Sequence, residues 1–283
     1  MIIFLSYIFY FVAASASPLQ RRWLATNRDF DSRSQINFAF RVTAVMIPLS
    51  LVIPIFSPFY IKGNIFYLAL LAVVSGVFGA LSLIFNYNAQ KHVEAGISTL
   101  VMNIYTPITI ILASLLLHEG LTNIQIIGTV LLLIGMVIVA KKHHIGKLHF
   151  DKYFLMMLAS GVLLGVVLVA ERALMKTTGF AAGTIISWWS QCAFTGLAVL
   201  IMGSRHVYST KDVLITGTLR FLQGLSWVVL LNVVGNLSLV SAVTTFKVVL
   251  MFIAGALILN EKEDMSRKII GSVIALAGLL LMR

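Results

Sequence analysis

Apolar residues run along this chain in long blocks separated by short polar breaks. Ten blocks can be drawn, at about 2–17, 36–56, 65–87, 96–117, 123–140, 153–175, 182–203, 212–234, 237–259 and 267–282. A helix needs roughly 20 apolar residues to cross a hydrocarbon core about 30 Å thick, and these blocks approach or exceed that length. Inside lipid the backbone has no water to bond, so only helices or closed barrels span it. The expected fold is an all-α membrane protein with ten transmembrane helices. The longest breaks hold about twenty residues, too few for a folded domain outside the membrane. The first block, "IIFLSYIFYFVAASAS", ends in small residues like a signal peptide, yet no charge precedes Arg21. Retention of this block as a span is expected, because an internal repeat includes it.

That repeat is the most informative feature of the chain. "HEGLTNIQIIGTVLLLIGMVIVAKK" from His118 pairs with "NEKEDMSRKIIGSVIALAGLLLMR" from Asn260. Glu119 falls over Glu261, Gly128 over Gly271 and Gly135 over Gly278. Just before, "IYTPITIILASLLLHE" lies over "FKVVLMFIAGALILNE", which sets Tyr105 opposite Lys247. More weakly, "LQRRWLATNRDF" matches "LVAERALMKTTGF", with Arg22 over Arg172. The expected division is a first five-helix repeat over 1–142, a basic linker over 143–152 and a second repeat over 153–283. Five is odd, so the second copy enters the membrane from the opposite side. Inverted repeats of this kind are typical of secondary transporters, with the substrate held between them near the midplane.

The unit "TPITIILASLLLHEGLTNIQIIGTVLLLIGMVIV" and its second copy resemble the fourth and fifth helices of EamA-type members of the drug/metabolite transporter superfamily. Pro107, Glu119, Gly128 and Gly135 carry the match. The resemblance implies a ten-helix transporter of small metabolites with both termini in the cytoplasm. One departure is "VAASASP" in the first helix, where amino-acid and drug exporters of the family commonly have an aromatic-glycine signature.

Composition agrees with a membrane location and sets the charge pattern. The chain is 59% hydrophobic and 11% charged, against about 25% charged for a soluble domain. Its net charge of +11 comes from basic residues flanking apolar blocks. That pattern marks membrane anchoring rather than nucleic-acid binding. Fourteen Lys and Arg fall on one side of the ten-helix scheme, and only Lys62, Arg172, Lys176 and Arg283 on the other. By the positive-inside bias both termini are then outside, opposite to what the resemblance implies. The expected location is the cytoplasmic membrane of a bacterium or archaeon. Cys192 is the sole cysteine, so no intrachain disulfide or cysteine metal site is available. The histidines of "KKHHIGKLHF" have no carboxylate or cysteine partner nearby and fit basic anchoring better than a metal. No cofactor is implied; a homodimer is compatible with the sequence.

Three cations fall well inside predicted spans: Arg41, Arg220 and Lys247. Each costs about 2.5–3.5 kcal/mol on insertion scales, so each calls for a reason. Lys247 is too deep to reach the interface along its own side chain. Helical spacing gathers candidates around it: Arg220, Gln223 and Trp227 share one face, as do Thr244, Lys247 and Met251, and Met102, Tyr105 and Thr109. Trp188 and Gln191 in the seventh span, and Ser6, Tyr10 and Ser17 in the first, complete the set. The expected substrate-binding residues are Lys247, Arg220, Gln223, Trp227, Tyr105, Arg41, Gln191 and Thr244. For any single aromatic residue, ordinary packing explains as much.

All ten acidic residues, Glu171 among them, fall in breaks or at predicted helix ends, so no carboxylate is expected at depth. A deep ammonium without a counter-charge then favours a ligand that brings negative charge, a phosphate ester or a carboxylate. Lys247 also resembles the ninth-helix lysine of the triose-phosphate and nucleotide-sugar branches of the same superfamily. The leading expectation is therefore a secondary transporter of a small anionic metabolite, working by alternating access. Export of amino acids or other neutral metabolites and the flipping of a lipid phosphate are kept as alternatives. A non-transporting scaffold is a reading of another class. An intramembrane enzyme is disfavoured, because the histidines are scattered and the carboxylates unpaired.

Overall fold

The computed structural model describes residues 2–27, 31–90, 92, 93, 95–140, 152–203, 205, 207–250 and 265–282. Every regular element among them is helical. In chain order these are α1 (Ile2–Asn27), α2 (Ser32–Ser50), α3 (Ile53–Phe56), α4 (Ile65–Ala89), α5 (Ala95–Met102) and α6 (Tyr105–Leu117). There follow α7 (Asn123–Ala140), α8 (Lys152–Thr178), α9 (Phe180–Met202), α10 (Thr210–Val234), α11 (Leu237–Thr244) and α12 (Met265–Leu281). Five stretches are long and apolar enough to cross a membrane: Ser32–Phe56, Ile65–Ala89, Lys152–Thr178, Phe180–Met202 and Thr210–Val234. Shorter apolar helices include Tyr105–Leu117 and Leu237–Leu250. The linker 143–152 falls outside the described residues except for Lys152, as do Met251 and Glu261.

Helix starts follow side-chain chemistry. Asp31 accepts from the Ser34 amide at 2.9 Å while its own amide donates to Ser34 Oγ at 3.1 Å, closing a capping box. Ser209 and Asp212 do the same for α10, and Asn64 caps α4. The outer surface is apolar: Phe56, Phe66 and Leu200 are each at least 80% exposed. The interior instead holds hydroxyls paired across helices, such as Ser75 with Ser187 at 2.7 Å and Ser82 with the Ser160 carbonyl at 2.9 Å. Small polar residues bonded between helices are what bundles in lipid use as glue.

Two predicted spans are not continuous. The fourth is split by a turn at Asn103 and Ile104. Pro107 has no amide to give the Asn103 carbonyl, and the Thr106 amide reaches that oxygen at 3.0 Å in a tighter turn. The ninth is split at Thr245 and Phe246, with no proline near. Here Thr244 Oγ1 donates to the Val240 carbonyl at 2.7 Å and Thr245 Oγ1 to the Ser241 carbonyl at 3.1 Å. Such back-bonding competes with the helix ladder and bends it. The two breaks touch: Asn103 Nδ2 donates to Thr245 Oγ1 at 3.0 Å, and Thr106 Oγ1 lies 2.8 Å from the same oxygen.

The first helix is also longer than expected. It runs through Pro18 to Asn27 rather than stopping near residue 17. Its polar end is held by packing, since Arg21 Nη1 donates to Asn86 Oδ1 at 3.2 Å and its guanidinium lies 5.1 Å from the Tyr87 ring centre.

Packing pairs α1 with α10, α4 with α8, α2 with α9, α6 with α11 and α7 with α12. The last contact is among the closest in backbone terms. A Cβ on Gly128 would stand 2.7 Å from the Gly278 carbonyl, and one on Gly135 would stand 2.6 Å from the Gly271 carbonyl and 2.5 Å from the Ala275 nitrogen. Only glycine admits so close an approach. Gly135→Val is therefore expected to cost about 1–3 kcal/mol by overpacking. In detergent it should melt several degrees below the wild-type protein, whereas exposed Val137→Ala should melt with it.

Candidate substrate-binding site

One cavity of about 190 Å³ lies within the bundle, lined by α1, α2, α4, α5, α6, α8, α9, α10 and Lys247. It reaches from Lys247 and Trp227 past Arg21 and Asn86 to Gln90, which follows the end of α4. Of the residues expected at the site, Lys247, Arg220, Gln223, Trp227, Tyr105 and Gln191 line it. Arg41 and Thr244 do not. Arg41 donates to the Tyr208 carbonyl at 3.2 Å and to Thr210 Oγ1 at 3.4 Å, near the start of α10, because its long side chain reaches the helix end. Thr244 is spent on the backbone of its own helix.

Lys247 Nζ donates to Tyr105 OH at 3.1 Å and to Tyr10 OH at 3.4 Å, and sits 4.7 Å from the Tyr105 ring centre. Both partners are neutral. Among the described residues no carboxylate forms an ion pair with it. The turn at Thr245 and Phe246 delivers Lys247 to the cavity, and the turn before Tyr105 delivers its hydroxyl. Two positions paired by the repeat alignment are thus paired in space. Tyr10 packs in turn on Trp227, with ring centres 5.8 Å apart, and Trp188 meets Phe221 edge-on.

The expectation that no carboxylate lies at depth is overturned. Glu171 sits inside α8, is only 4% exposed and lines the cavity. The sequence reading sets it at a helix end, inside the block at 153–175, whereas α8 continues to Thr178 and buries it in the bundle. Its Oε1 is buried and makes no hydrogen bond, and the same is true of Arg220 Nε and Trp227 Nε1. These three buried polar atoms, on α8 and α10, all belong to residues that line the cavity and are open to a ligand's polar groups. The polar lining residues Ser82, Asn86, Gln90, Ser98 and Thr99 were missed as well, and so was Arg21, which falls in a predicted break. A signal for Arg21 and Glu171 existed: the weak repeat alignment sets one opposite the other.

Far from this opening, a polar cluster ties helix ends together. Arg172 donates to Glu119 Oε1 at 2.9 Å and to the Gly235 carbonyl at 2.6 Å. Lys176 Nζ stands 3.3 Å from Glu119 Oε1 and bonds the Leu117 carbonyl at 3.0 Å. The Leu237 amide donates to Glu119 Oε2 at 2.7 Å, and Ser238 Oγ to the Glu119 carbonyl. Gly235, at φ 74°, supplies the left-handed turn that brings α11 back toward Glu119. Glu119 is joined in this way to α8 and to the start of α11.

Seen from outside, the molecule is a helical bundle with an apolar girdle around a polar, cation-bearing cavity, the make-up of a multi-pass integral membrane protein. The chain belongs to the EamA-like transporter family, within the drug/metabolite transporter superfamily, on a match over residues 1–141. A solved structure described only as "Crystal structure of protein" has the same fold, with a TM-score of 0.68 and 14% identity. That likeness covers 98% of this chain and 94% of the other. No curated protein matches the sequence.

Burial alone raises the carboxyl of Glu119, but bonds from Arg172 and the Leu237 amide outweigh it and hold the group below its ordinary 4.5. A lowered folded value means stabilisation that is full above the ordinary value and lost as pH falls through the folded one. Glu119→Gln should therefore lower the stability at neutral pH, where Arg172 is left without its counter-charge, by on the order of 3 kcal/mol, read as a lower melting temperature. The same variant should lose less stability than wild type between about pH 5 and about pH 3. Parallel acid profiles of the two proteins would contradict this assignment.

Proposed function

We propose that the protein is a secondary transporter that carries a small metabolite bearing a phosphate or carboxylate group. The ligand's negative charge sits between Lys247 and Arg220. The observation that carries this reading is the environment of Lys247, a buried ammonium held by two neutral hydroxyls. The cavity as a whole supports it: Arg21, Arg220 and Lys247 face one carboxylate, Glu171. A formal surplus of two positive charges in a low-dielectric site attracts an anion strongly. The free donors of Arg220 and Trp227 add directed hydrogen bonds, forked in the case of arginine. Glutamines 191 and 223 offer further polar contacts for a ligand's hydroxyls.

Movement is read as alternating access between two inverted five-helix repeats, 1–142 and 153–283. Several features support a twofold relation. Gly128 meets Gly278 and Gly135 meets Gly271, the crossed pairing that a twofold axis between α7 and α12 requires. The contact of α1 with α10 exchanges with that of α8 and α4, and the fourth and ninth spans break at facing points. In this conformation the Glu119 cluster closes one end while the cavity runs toward the other. Rocking the repeats would break that cluster and open the far side. Of the two termini placements, the charge count is followed here: both outside, with the end near Gln90 cytoplasmic.

The test is a thermal-shift and uptake series with phosphorylated metabolites, dicarboxylates, neutral sugars and organic cations. Anions should stabilise the detergent-purified wild type and be taken up by proteoliposomes. Lys247→Gln should lose at least tenfold in anion affinity and abolish uptake. Stabilisation by cations or neutral sugars alone, or full activity of the variant, would remove the reading. Glu171 favours one second reading, a zwitterion such as an amino acid, with its ammonium on that carboxylate.

A further inference from the structure

Glu171 has no role in the anion site as described, and its surroundings are unusual for a carboxylate. It lies on the cavity wall, 4% exposed, with Oε1 unbonded. The polar groups that act on it are Trp188 on α9 and Arg220 on α10. Arg220 is likewise incompletely used, its Nε being without a partner. A carboxylate and a guanidinium that share a dry site hold one another's charge only while both remain ionised.

We propose that Glu171 is a proton-binding residue that couples the movement of an anion to the movement of one proton. With the cavity empty, the negative charge of Glu171 is balanced by Arg220. An incoming anion takes up the Arg220 charge together with that of Lys247. Glu171 then stands beside a second negative charge without Arg220, while Arg21 stays bonded to Asn86 and stacked over Tyr87, and two like charges at close quarters in low dielectric cannot both persist. One proton from solvent adds to Glu171 Oε1, forming an O–H bond, and is released there when the anion departs. No other bond is made or broken. The proposal rests on the anion-carrier reading of the same cavity.

The neighbours leave Glu171 as the group that takes up this proton. Charged and titratable side chains around it are Arg220 on α10, Arg21 and Tyr10 on α1, Tyr105 on α6 and Lys247, with Tyr87 of α4 acting on Arg220. The neighbouring helices α5 and α9 present neutral groups to the cavity, Ser98, Thr99, Met102, Trp188 and Gln191. No histidine lines it. Arginines, lysine and tyrosines ordinarily titrate at about pH 10 or above, so near neutrality the proton has one address.

Calorimetric titration of the purified full-length protein tests this, with glycerol 3-phosphate and succinate as probes between about pH 6 and about pH 9. Repeating each titration in buffers of different ionisation enthalpy gives the protons taken up per anion bound, after correction for the probe's own titration. The wild type should take up about one proton on the alkaline side, with apparent affinity falling about tenfold per pH unit there. Glu171→Gln should take up none, and its affinity should no longer follow pH. Anion binding by the wild type without proton uptake at any pH overturns this inference and leaves the anion-carrier reading standing. Uptake that persists in the variant overturns it as well. Failure of both probes to bind the wild type removes the carrier reading and this inference with it. Glycine binding that needs Glu171 and moves no proton would assign the carboxylate to a ligand ammonium instead.

Discussion

The ammonium of Lys247, held in the bundle interior by two tyrosine hydroxyls, is the constraint around which the rest of the site is arranged. Hydroxyls and a π-face soften the cost of that buried charge but leave its sign unopposed. A polar cavity must then exist beside it, and helices must break to let the side chain reach the cavity. Both follow: the turn at Thr245 and Phe246 precedes Lys247, and the turn at Asn103 and Ile104 precedes Tyr105. Irregular backbone at membrane depth is tolerated where it lines a polar cavity and is buried in protein. Here the two turns also satisfy one another through Asn103, Thr106 and Thr245.

Two kinds of contact between helices differ in their chemistry. The close contact of α7 with α12 is made by glycines. The Glu119 cluster is polar, and directed bonds join it to Arg172 and Lys176 of α8 and to the start of α11. A contact of the first kind is costly to disturb, while one of the second kind can open and reform. In the proposed rocking motion the first contact serves as the pivot and the second as the closure.

Much of this was legible in the sequence. Apolar block length gave the helical class, and the repeat alignment brought Tyr105 to Lys247 before any coordinates. Face spacing brought Arg220, Gln223 and Trp227 to one wall. The failures share a cause. A charge near the end of an apolar block reads as interfacial: the first block closes at 17, before Arg21, and Glu171, inside the block at 153–175, is read as an end residue. A charge inside a membrane protein is priced by its tertiary partners, here Asn86, Tyr87 and Arg220, and no local pattern records those. Arg41 failed for the opposite reason: its depth in sequence was offset by the reach of its own side chain.

The central claim is that the cavity's surplus positive charge is what selects the cargo. Charge displacement on a solid-supported membrane measures this directly, since it reports the sign of the charge that enters the protein. Rapid delivery of a dicarboxylate to wild-type proteoliposomes should give a transient current of negative sign that Lys247→Gln abolishes. A current of positive sign on delivery of an organic cation, with none for any anion, would contradict the account.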